Sequence, residues 1–424
     1  MTAQLAIVGS GLAGMAAALF AARHELDTIL IGSVGASQLS SGLIDLFGVV
    51  PGPAPEICRS PWKVLSSLAD TLPSHPYTKI EPAEMHQALS IFLNELKRQG
   101  LPYTGLQENN VLTVSPLGTL KPSYRLPSTM WAGIQGMAEQ SPGLIADFHG
   151  LKDFSARLVA SSLEPLWPGL RTAKLTFPEA GSRPELFTEL LAHSLETPRV
   201  REQLAAAIKP VLKGIQVLGL PAVLGLRSAG TVHRELEDRL GVSIFEIPTL
   251  PASVPALRLK EALHQALQAS PRIRVLHQAK AGRAKRDPEG WFHMTVSSPW
   301  APVQVRSRAL LLASGRFLGQ GLAANRHSIR ESLLNLWVHQ PDSRSQWHNQ
   351  SFFDPHGHPV NRAGLEVDHC FRPIDGQSHL VYENLFAAGS ILAHNDWART
   401  KSGTGTAITT AFKAVQAVDA SMPL

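Results

Sequence analysis

Short apolar runs recur along the chain, and between them the apolar positions follow helical spacing. Leu5–Val8 is the first such run and predicts a buried strand. Residues 82–99 predict the clearest helix, with one apolar face from Met85 to Leu96 and Gly100 at its end. Strands that alternate with helices are typical of an α/β protein built on parallel strands.

The same alternation divides the chain into three parts. With 424 residues the chain exceeds the size at which single cores usually stop growing, so more than one domain is expected. Residues 120–247 carry their own succession of strands and helices, which predicts an inserted α/β cap, substrate or docking domain. Residues 1–119 and 248–424 then form the two parts of one larger domain. The predicted fold is α/β and Rossmann-like, with two domains.

Several elements carry this division. In the middle part, strands are predicted at 144–146, 171–177 and 243–247, and helices near 152–163, within 184–212 and at 231–240. In the last part, a helix near 255–269 precedes strands at about 272–281, 291–298 and 302–313, with a further strand at 383–390 and a helix from 403 to about 418.

A glycine motif follows the first strand at once. Gly9, Gly11 and Gly14 stand at G-x-G-x-x-G spacing and open an Ala-rich and Leu-rich helix. In this setting the first glycine makes a tight turn, the second lets the backbone approach a phosphate, and the third lets helix and strand pack closely. The helix N-terminus offers free N–H groups to the anion. The alternative interpretation is a glycine-rich turn without a ligand.

The acidic residue that usually accompanies this motif is missing. It is expected at the end of the second strand, where it holds an adenosine ribose. Here the strand Thr28–Ile31 is followed by Gly32, and Asp27 lies at the opposite end of the strand. The adenosine half is therefore held differently, or the cofactor has none. FMN thus becomes an alternative to FAD or NAD.

Composition narrows the class of protein. The formal charge is +5, and no basic run with interleaved aromatic residues suggests nucleic-acid binding. The two cysteines, Cys58 and Cys370, indicate a reducing compartment and cannot supply the four ligands of an iron–sulfur cluster. Their wide separation excludes a C-x-x-C disulfide reductase. The first 22 residues lack the basic start of a signal peptide, and no apolar stretch reaches membrane-spanning length, so membrane association would be peripheral.

The motifs together resemble a known family. A dinucleotide fingerprint, an antiparallel meander, an apolar strand ending in Ala-Ser-Gly and a final Phe-Ala-Ala-Gly-Ser form the layout of two-domain flavoproteins. More specific segments resemble the B subunits of anaerobic glycerol-3-phosphate dehydrogenases, and they span nearly the whole chain in the right order. These are Leu39–Gly42 with Asp45 and Leu46, Pro116–Leu120, Leu250–Val254 with Leu257–Leu259, Arg326 with Ile329–Glu331, and Arg372 with Pro373.

The resemblance implies a function and an assembly. It implies that the chain binds FMN and pairs with an FAD-containing catalytic A subunit. It also implies that electrons pass to a membrane-associated iron–sulfur C subunit and then to quinone, as in fumarate or nitrate respiration. The reaction would be oxidation of sn-glycerol 3-phosphate to dihydroxyacetone phosphate. The location would be cytoplasmic, at the inner face of the membrane through the partner subunits.

The predicted cofactor contacts lie where glycine or serine lets the backbone approach a ligand. The family pattern ends in Gly-Asp, where the acid holds the ribityl chain, whereas this chain has Ser390. No metal site is predicted. The predicted contacts are Gly9, Gly11, Gly14, Ser40, Ser41, Gly42, Gly315, Gly389, Ser390, Gly403 and Gly405.

Candidates for substrate chemistry are cationic and basic side chains. Arg326 and Arg330 would lie one turn apart if they were helical, and arginine suits a phosphate clamp; the alternative is a solvated face paired with Glu331. Arg372 is a second clamp candidate or a structural ion pair. Among 17 histidines, His394 follows the predicted flavin contacts and is the candidate base. Its alternative is a surface or packing role.

Three functions remain open from the sequence. In the first, the chain contributes directly to substrate oxidation. In the second, it is a non-catalytic electron-relay and assembly subunit, and the chemistry occurs on the A subunit. In the third, it is a self-contained flavin dehydrogenase of another hydroxy compound.

Overall fold

The computed structural model describes residues 1–33, 39–181 and 183–422. The chain forms two compact units, one of Met1–Ser37, Asp45–Glu95 and Leu263–Leu424, the other of Gln38–Ile44 and Leu96–Ala262. The insert predicted at 120–247 lies within the second unit, which also includes 96–119 and 248–262. Those flanking residues join it partly because Tyr103–Thr104 pairs with Leu126–Pro127.

The strands are numbered in chain order. They are β1 (Thr2–Val8), β2 (Thr28–Gly32), β3 (Val49–Val50), β4 (Glu56–Ile57), β5 (Tyr103–Thr104), β6 (Val111–Val114), β7 (Leu120–Ser123), β8 (Leu126–Pro127), β9 (Gly143–Phe148), β10 (Arg171–Leu175), β11 (Val217–Pro221), β12 (Ser243–Ile247), β13 (Ile273–His277), β14 (Lys280–Arg286), β15 (Phe292–Ser297), β16 (Val303–Leu312), β17 (Leu322–Ala324), β18 (Ile329–Glu331) and β19 (Leu385–Ala387).

The α-helices are numbered in the same way. They are α1 (Leu12–Arg23), α2 (Pro61–Ser66), α3 (Leu68–Thr71), α4 (Pro82–Arg98), α5 (Trp131–Glu139), α6 (Ala156–Leu163), α7 (Thr188–Ser194), α8 (Pro198–Ile208), α9 (Ala229–Leu240), α10 (Val254–Gln268), α11 (Trp397–Thr400) and α12 (Gly403–Ser421). None of these helices, within the ranges that the structure describes, is long and apolar enough to cross a membrane.

The first unit is organised around a seven-stranded sheet with the order β13-β2-β1-β16-β15-β14, in which β19 also pairs with β16. The strands β13, β2, β1, β16 and β19 are parallel, whereas β14, β15 and β16 form an antiparallel meander. The predicted Rossmann-like fold and meander are therefore confirmed. The single strand predicted at 272–281 is wrong, because Gln278 takes a left-handed conformation (φ 49°) and separates two strands.

Helix α1 packs within this unit because its side chains are small. Residues from Ala13 to Ala21 are buried, so nearly the whole circumference is shielded from water. The helix contacts α12, and the Phe20 and Phe412 rings meet edge to face with centroids 5.1 Å apart. This packing fixes the start of α1 at the carboxyl end of β1.

The second unit contains a four-stranded parallel sheet with the order β10-β9-β11-β12. Its core includes Phe148, Trp167 and Leu218. The helix predicted at 152–163 starts later, at Ala156, because the Ser155 side chain accepts the Leu158 N–H and caps it there. The helical stretch predicted within 184–212 is two α-helices, and the second begins at Pro198, a favoured first helical residue.

Candidate functional site

The parallel strands of the first unit bring their carboxyl ends together. Gly9 donates its N–H to the Ile31 carbonyl at 2.8 Å, and Ala313 donates to the Val8 carbonyl at 2.8 Å. Ala388 likewise donates to the Leu312 carbonyl at 3.0 Å. Ligands of open α/β sheets bind outside the carboxyl ends of the strands, so this edge is the candidate cofactor site.

The fingerprint glycines occupy the centre of this edge. Gly9 has φ 115°, which a side chain rarely allows, and a Cβ there would overlap the Ala313 carbonyl. A Cβ on Gly14 would overlap the Gly9 carbonyl, so this glycine permits the close packing that the motif predicts. Gly11 is different, because nothing lies within 4 Å of its Cβ position. No side chain caps α1, so its first N–H groups face this open space.

The glycines after β16 and β19 lie beside the fingerprint. A Cβ on Gly389 would approach the Ala13 side chain to 2.5 Å, and one on Gly315 would lie 3.4 Å from Ser390 Oγ. The structure therefore brings Gly315, Gly389 and Ser390 to the same edge as α1.

In the part of the chain that the structure describes, two buried side-chain atoms after β16 lack hydrogen-bond partners. Ser314 Oγ and Arg316 Nε are buried and have no hydrogen-bond partner among the described residues. Arg316 otherwise donates to the carbonyls of Leu392 and Asn395 at 3.0 and 2.8 Å, and burial lowers its pKa to about 10. Buried polar atoms usually have partners, so these two fit a bound polar group such as a flavin.

The start of α12 packs against Asp45, Leu46 and Tyr77. The Gly405 N–H donates to the Asp45 carbonyl at 2.8 Å, and the Ser402 side chain provides no helix cap. A Cβ on Gly405 would meet the Tyr77 hydroxyl at 2.5 Å. Gly403 opens the helix beside the Trp397 ring, which lies 3.1 Å from its Cβ position. Close packing therefore requires a glycine at 405, whatever its role toward a cofactor, whereas a Cβ at 403 would only press on the Trp397 ring.

Ser40, Ser41 and Gly42 belong to the second unit. Tyr103 donates its hydroxyl to the Gly42 carbonyl at 2.6 Å, and Ser253 donates to the Ser40 carbonyl at 3.0 Å. Ser41 Oγ accepts from Lys121 Nζ at 3.4 Å. These bonds hold the turn in place, and the predicted flavin contacts here stay a prediction.

The end of β2 differs from the usual dinucleotide-binding motif, in which an acidic side chain there holds the adenosine ribose. A Cβ on Gly32 would meet the Ser10 backbone nitrogen at 2.5 Å, so an acidic side chain has no room there. The Ser10 hydroxyl instead donates to the Ser33 carbonyl at 2.5 Å. Asp27, at the far end of the strand, pairs with Arg272 at 3.0 Å.

His394 lies in a cluster with Glu366 and His339. His394 Nε2 is 2.6 Å from Glu366 Oε1, and His339 Nδ1 is 3.3 Å from the same oxygen. The two imidazole centroids are 4.1 Å apart. Burial and the nearby His394 lower the pKa of His339, against the opposing effect of Glu366. His394 also has a left-handed backbone (φ 61°), which is uncommon outside glycine and often marks functional sites.

A small cavity adjoins this cluster. Its volume is about 170 Å³, enough for on the order of ten waters or one small ligand. The polar and ionisable side chains that line it are Ser74, Lys79, Glu366 and His394, and the rest of the lining is aliphatic or proline. The cavity therefore combines one ammonium group with a carboxylate-bonded histidine.

The three arginine candidates lie elsewhere in the first unit. Arg326 and Arg330 are not helical, because β17 and β18 form an antiparallel hairpin, and both side chains are exposed. Glu331 is buried and accepts the N–H groups of Leu333 and Leu334. Because the backbone is extended at 329–331 and a turn precedes it, Arg326 and Arg330 do not lie one helical turn apart.

Arg372 forms an ion pair with Asp368. Its Nη2 lies 2.7 Å from Asp368 Oδ2, and this partner raises the pKa of the guanidinium. The observed contacts of Arg372 are therefore those of a structural ion pair, which was the alternative to a phosphate clamp.

His75, which no sequence motif predicted, is almost fully buried near Asn395. Its Nδ1 accepts the Tyr77 N–H at 3.1 Å, and its Nε2 has no hydrogen-bond partner among the described residues. Burial lowers the pKa of His75 to about 4, against the opposing effect of the Asn395 side chain. Neither His75 nor Glu366 lies in a recognisable motif, so only proximity in the fold identifies them.

The comparisons with known proteins agree with the flavin expectation. Residues 4–406 match the FAD binding domain family. The chain is 30% identical over 425 residues to the B subunit of the anaerobic glycerol-3-phosphate dehydrogenase of Vibrio vulnificus, covering 97% of this chain and 95% of the relative. It is 29% identical over 426 residues to the probable B subunit of the same enzyme from Halobacterium salinarum, covering 97% and 96%.

Solved structures of distant proteins are also similar. A 3-ketosteroid delta1-dehydrogenase from Sterolibacterium denitrificans matches with a TM-score of 0.45 and 12% identity, covering 99% of this chain and all of that one (100%). A quinol fumarate reductase chain from E. coli matches with a TM-score of 0.43 and 10% identity, covering 99% and 71%.

Proposed function

The chain belongs to the FAD binding domain family and, within it, to the family of B subunits of anaerobic glycerol-3-phosphate dehydrogenases, and we propose that it is the flavin-bearing subunit of such a complex. The complex would oxidise sn-glycerol 3-phosphate to dihydroxyacetone phosphate and pass electrons to quinone. The partners would be an FAD-containing A subunit and an iron–sulfur C subunit at the membrane. Similarity over 97% of the chain supports this assignment.

The observation that carries a catalytic role is the hydrogen bond between His394 and Glu366. When bound, a flavin supplies the acceptor for the hydride that leaves the alcohol carbon. His394 Nε2 faces Glu366 Oε1 at 2.6 Å, so Nδ1 keeps the lone pair that takes the hydroxyl proton. Glu366 stabilises the imidazolium that forms, as carboxylates do in other catalytic dyads.

Lys79 is the proposed anchor for the phosphate of the substrate. It lines the same cavity as His394, and its ammonium has no hydrogen bond or ion pair with any described residue. Because Arg372 is paired and Arg326 and Arg330 lie on an exposed hairpin, they remain secondary candidates. Lys79→Met is expected to raise the KM for glycerol 3-phosphate about ten-fold and to change kcat little.

Flavin binding would use Gly9, Gly11 and Gly14 around the start of α1, and Gly315, Gly389 and Ser390 at the neighbouring strand ends. FMN is proposed over FAD because Gly32 and Ser10 leave no room for the ribose acid. The chain should be purified, its chromophore released by heat and the mass determined. FMN supports the proposal, and FAD would show that an adenosine half is held another way. No flavin, even after reconstitution, would leave only a structural role.

The catalytic role is tested in the complete complex. His394→Asn is expected to lower kcat for glycerol 3-phosphate oxidation by about 10²–10⁴-fold. His327→Asn, in the exposed hairpin of the same unit, is the matched control and should retain full activity. An unchanged rate of flavin reduction by substrate in His394→Asn would exclude the proposed base.

An electron-relay and assembly role is the second candidate, because the cavity holds a single lysine and also a carboxylate that repels anions. Lys79→Met in the complete complex separates the two. A higher KM supports direct substrate binding, whereas an unchanged KM with slower quinone reduction supports the relay. Turnover by the isolated chain with an artificial acceptor would instead indicate a self-contained dehydrogenase.

A further inference from the structure

Three neighbouring segments of the first unit bring together two imidazoles and a carboxylate, which belong to His339, Glu366 and His394. Backbone bonds join these segments. His339 and Gly364 donate their N–H groups to each other's carbonyl at 2.9 and 3.1 Å, and Leu365 forms a parallel bridge with Leu392. The fold therefore holds the three side chains near one another, although the sequence spacing between them gives no sign of a shared site.

The ligand atoms of this cluster lie at distances that suit a single metal ion. His339 Nδ1, Glu366 Oε1 and His394 Nε2 all lie within 4.8 Å of one another. Zinc bonds of about 2.0–2.1 Å in tetrahedral geometry separate neighbouring ligand atoms by about 3.3 Å. The distance from His339 to Glu366 is 3.3 Å, and that from His394 to Glu366 is 2.6 Å. Only the second distance has to open, by about 0.7 Å, for all three atoms to bind one ion.

An ion can reach the cluster from solvent. The exposed fractions of the His339, Glu366 and His394 side chains are 39%, 27% and 23%. The 170 Å³ cavity beside Glu366 and His394 has room for the water that completes four-coordination at zinc. Imidazole nitrogen and carboxylate oxygen are ligands that suit zinc. Lys79 lines the same cavity and opposes a cation, whereas the Glu366 carboxylate attracts it.

We propose that His339, Glu366 and His394 bind a divalent transition-metal ion of the zinc class. The metal takes Nε2 of His394, so the single proton of the neutral ring moves to Nδ1. Nδ1 is the atom that accepts the substrate hydroxyl proton in the proposed function. Metal binding would therefore block the base and inhibit substrate oxidation. This inhibition rests on the proposed function, whereas the metal site itself does not.

Equilibrium dialysis of Zn²⁺ against the full chain measures the site directly. His339→Asn removes one ligand and is expected to weaken zinc binding by more than about ten-fold, because even outer-shell partners of a metal contribute about 10–100-fold. His379→Asn, which removes an exposed imidazole beside Asp375, is the control and should bind zinc as the wild type does. Equal zinc affinity in the wild type and in His339→Asn would overturn the proposal.

X-ray absorption at the zinc edge needs no variant, so it applies even if His339→Asn fails to fold. The wild-type protein is loaded with one equivalent of Zn²⁺. Two imidazole nitrogens and a carboxylate oxygen are expected at about 2.0–2.2 Å from the metal. A coordination shell that lacks two imidazoles would equally overturn the proposal.

Flavin reduction by glycerol 3-phosphate in the complete complex separates the metal site from the proposed function. At full zinc occupancy the rate is expected to fall at least about ten-fold in the wild type, as removal of a general base predicts. The same zinc concentration should leave the rate of His339→Asn unchanged. Zinc that binds these three ligands without slowing the reaction would support the metal site and exclude His394 as the base.

Discussion

The buried Arg258–Glu246 pair of the second unit and the buried His75 of the first are both shielded from water, but their hydrogen bonds are completed differently. Arg258 Nη1 and Nη2 lie 2.6 and 2.9 Å from the two Glu246 oxygens, and Nε donates to the Gly225 carbonyl at 2.7 Å. Thr129 and the Leu224 N–H donate to the same carboxylate at 2.7 and 2.8 Å. His75 Nδ1 accepts the Tyr77 N–H, whereas Nε2 has no partner within hydrogen-bond distance in the part of the chain that the structure describes.

The difference is between a polar centre that the folded chain completes and buried polar atoms that it leaves without a partner. Around Arg258 each side-chain nitrogen has an acceptor and each carboxylate oxygen has two donors, so the folded chain completes the site by itself. In His75, Ser314 and Arg316, one buried side-chain atom each has no hydrogen-bond partner among the described residues. The first kind of centre is expected to govern stability.

Arg258→Met should produce the largest loss of stability. Removing one partner leaves Glu246 charged and buried, which is expected to cost about 3–5 kcal/mol of unfolding free energy. Urea denaturation measures the loss, and adding Glu246→Leu should recover much of it. Arg227→Ala, at an exposed pair with Glu261, is the control and should cost less than about 1 kcal/mol. A small loss in Arg258→Met would contradict the structural role.

Lowering the pH should destabilise the apoprotein, because His75 is buried in its neutral form. The unfolded chain takes up a proton below about pH 6.5, whereas burial lowers the pKa of His75 in the folded chain to about 4. Stability is therefore full above pH 6.5 and falls by on the order of 3 kcal/mol as the pH drops toward 4. Urea denaturation at stepped pH measures this fall. His75→Phe should lose that part of the pH dependence, and an unaltered slope would contradict it.

Glu366→Gln should weaken catalysis without removing the histidine. The neutral amide cannot stabilise an imidazolium on His394, so kcat is expected to fall about ten-fold, or about 1.4 kcal/mol, with little change in KM. The pH–rate profile of the complex should shift as well. Asp375→Asn, an exposed carboxylate in the same unit, is the control. If Glu366→Gln kept the wild-type kcat and the wild-type pH profile, Glu366 would have no part in the mechanism.

Arg372→Ala should have the smallest effect. Both side chains of the pair are partly exposed to water, and ion pairs at the surface contribute less than about 1 kcal/mol. Thermal denaturation should detect little change, and the KM for glycerol 3-phosphate should stay the same. A clearly raised KM would instead return Arg372 to the role of phosphate clamp.

The sequence predicted the elements that have strong local signals. The strand Leu5–Val8, the fingerprint glycines and the helix from residue 82 are present because apolar periodicity and glycine spacing act over a few neighbouring residues. Four-residue spacing alone cannot distinguish a helix from a hairpin, so the sequence left the hairpin of Arg326 and Arg330 undecided. The start of α6 was misplaced because a side-chain cap at Ser155 decides it.

By itself, the sequence determined the α/β class, the position of the glycine-rich turn after β1 and the absence of an acidic residue at the end of β2. Only the tertiary structure decided that His394 meets Glu366, that Arg372 pairs with Asp368 and that His75 is almost fully buried. Glu366 and His394 are 28 residues apart, and no periodicity relates them. Arg372 and Asp368 are only four residues apart, but the turn that brings them together has no helix or strand pattern.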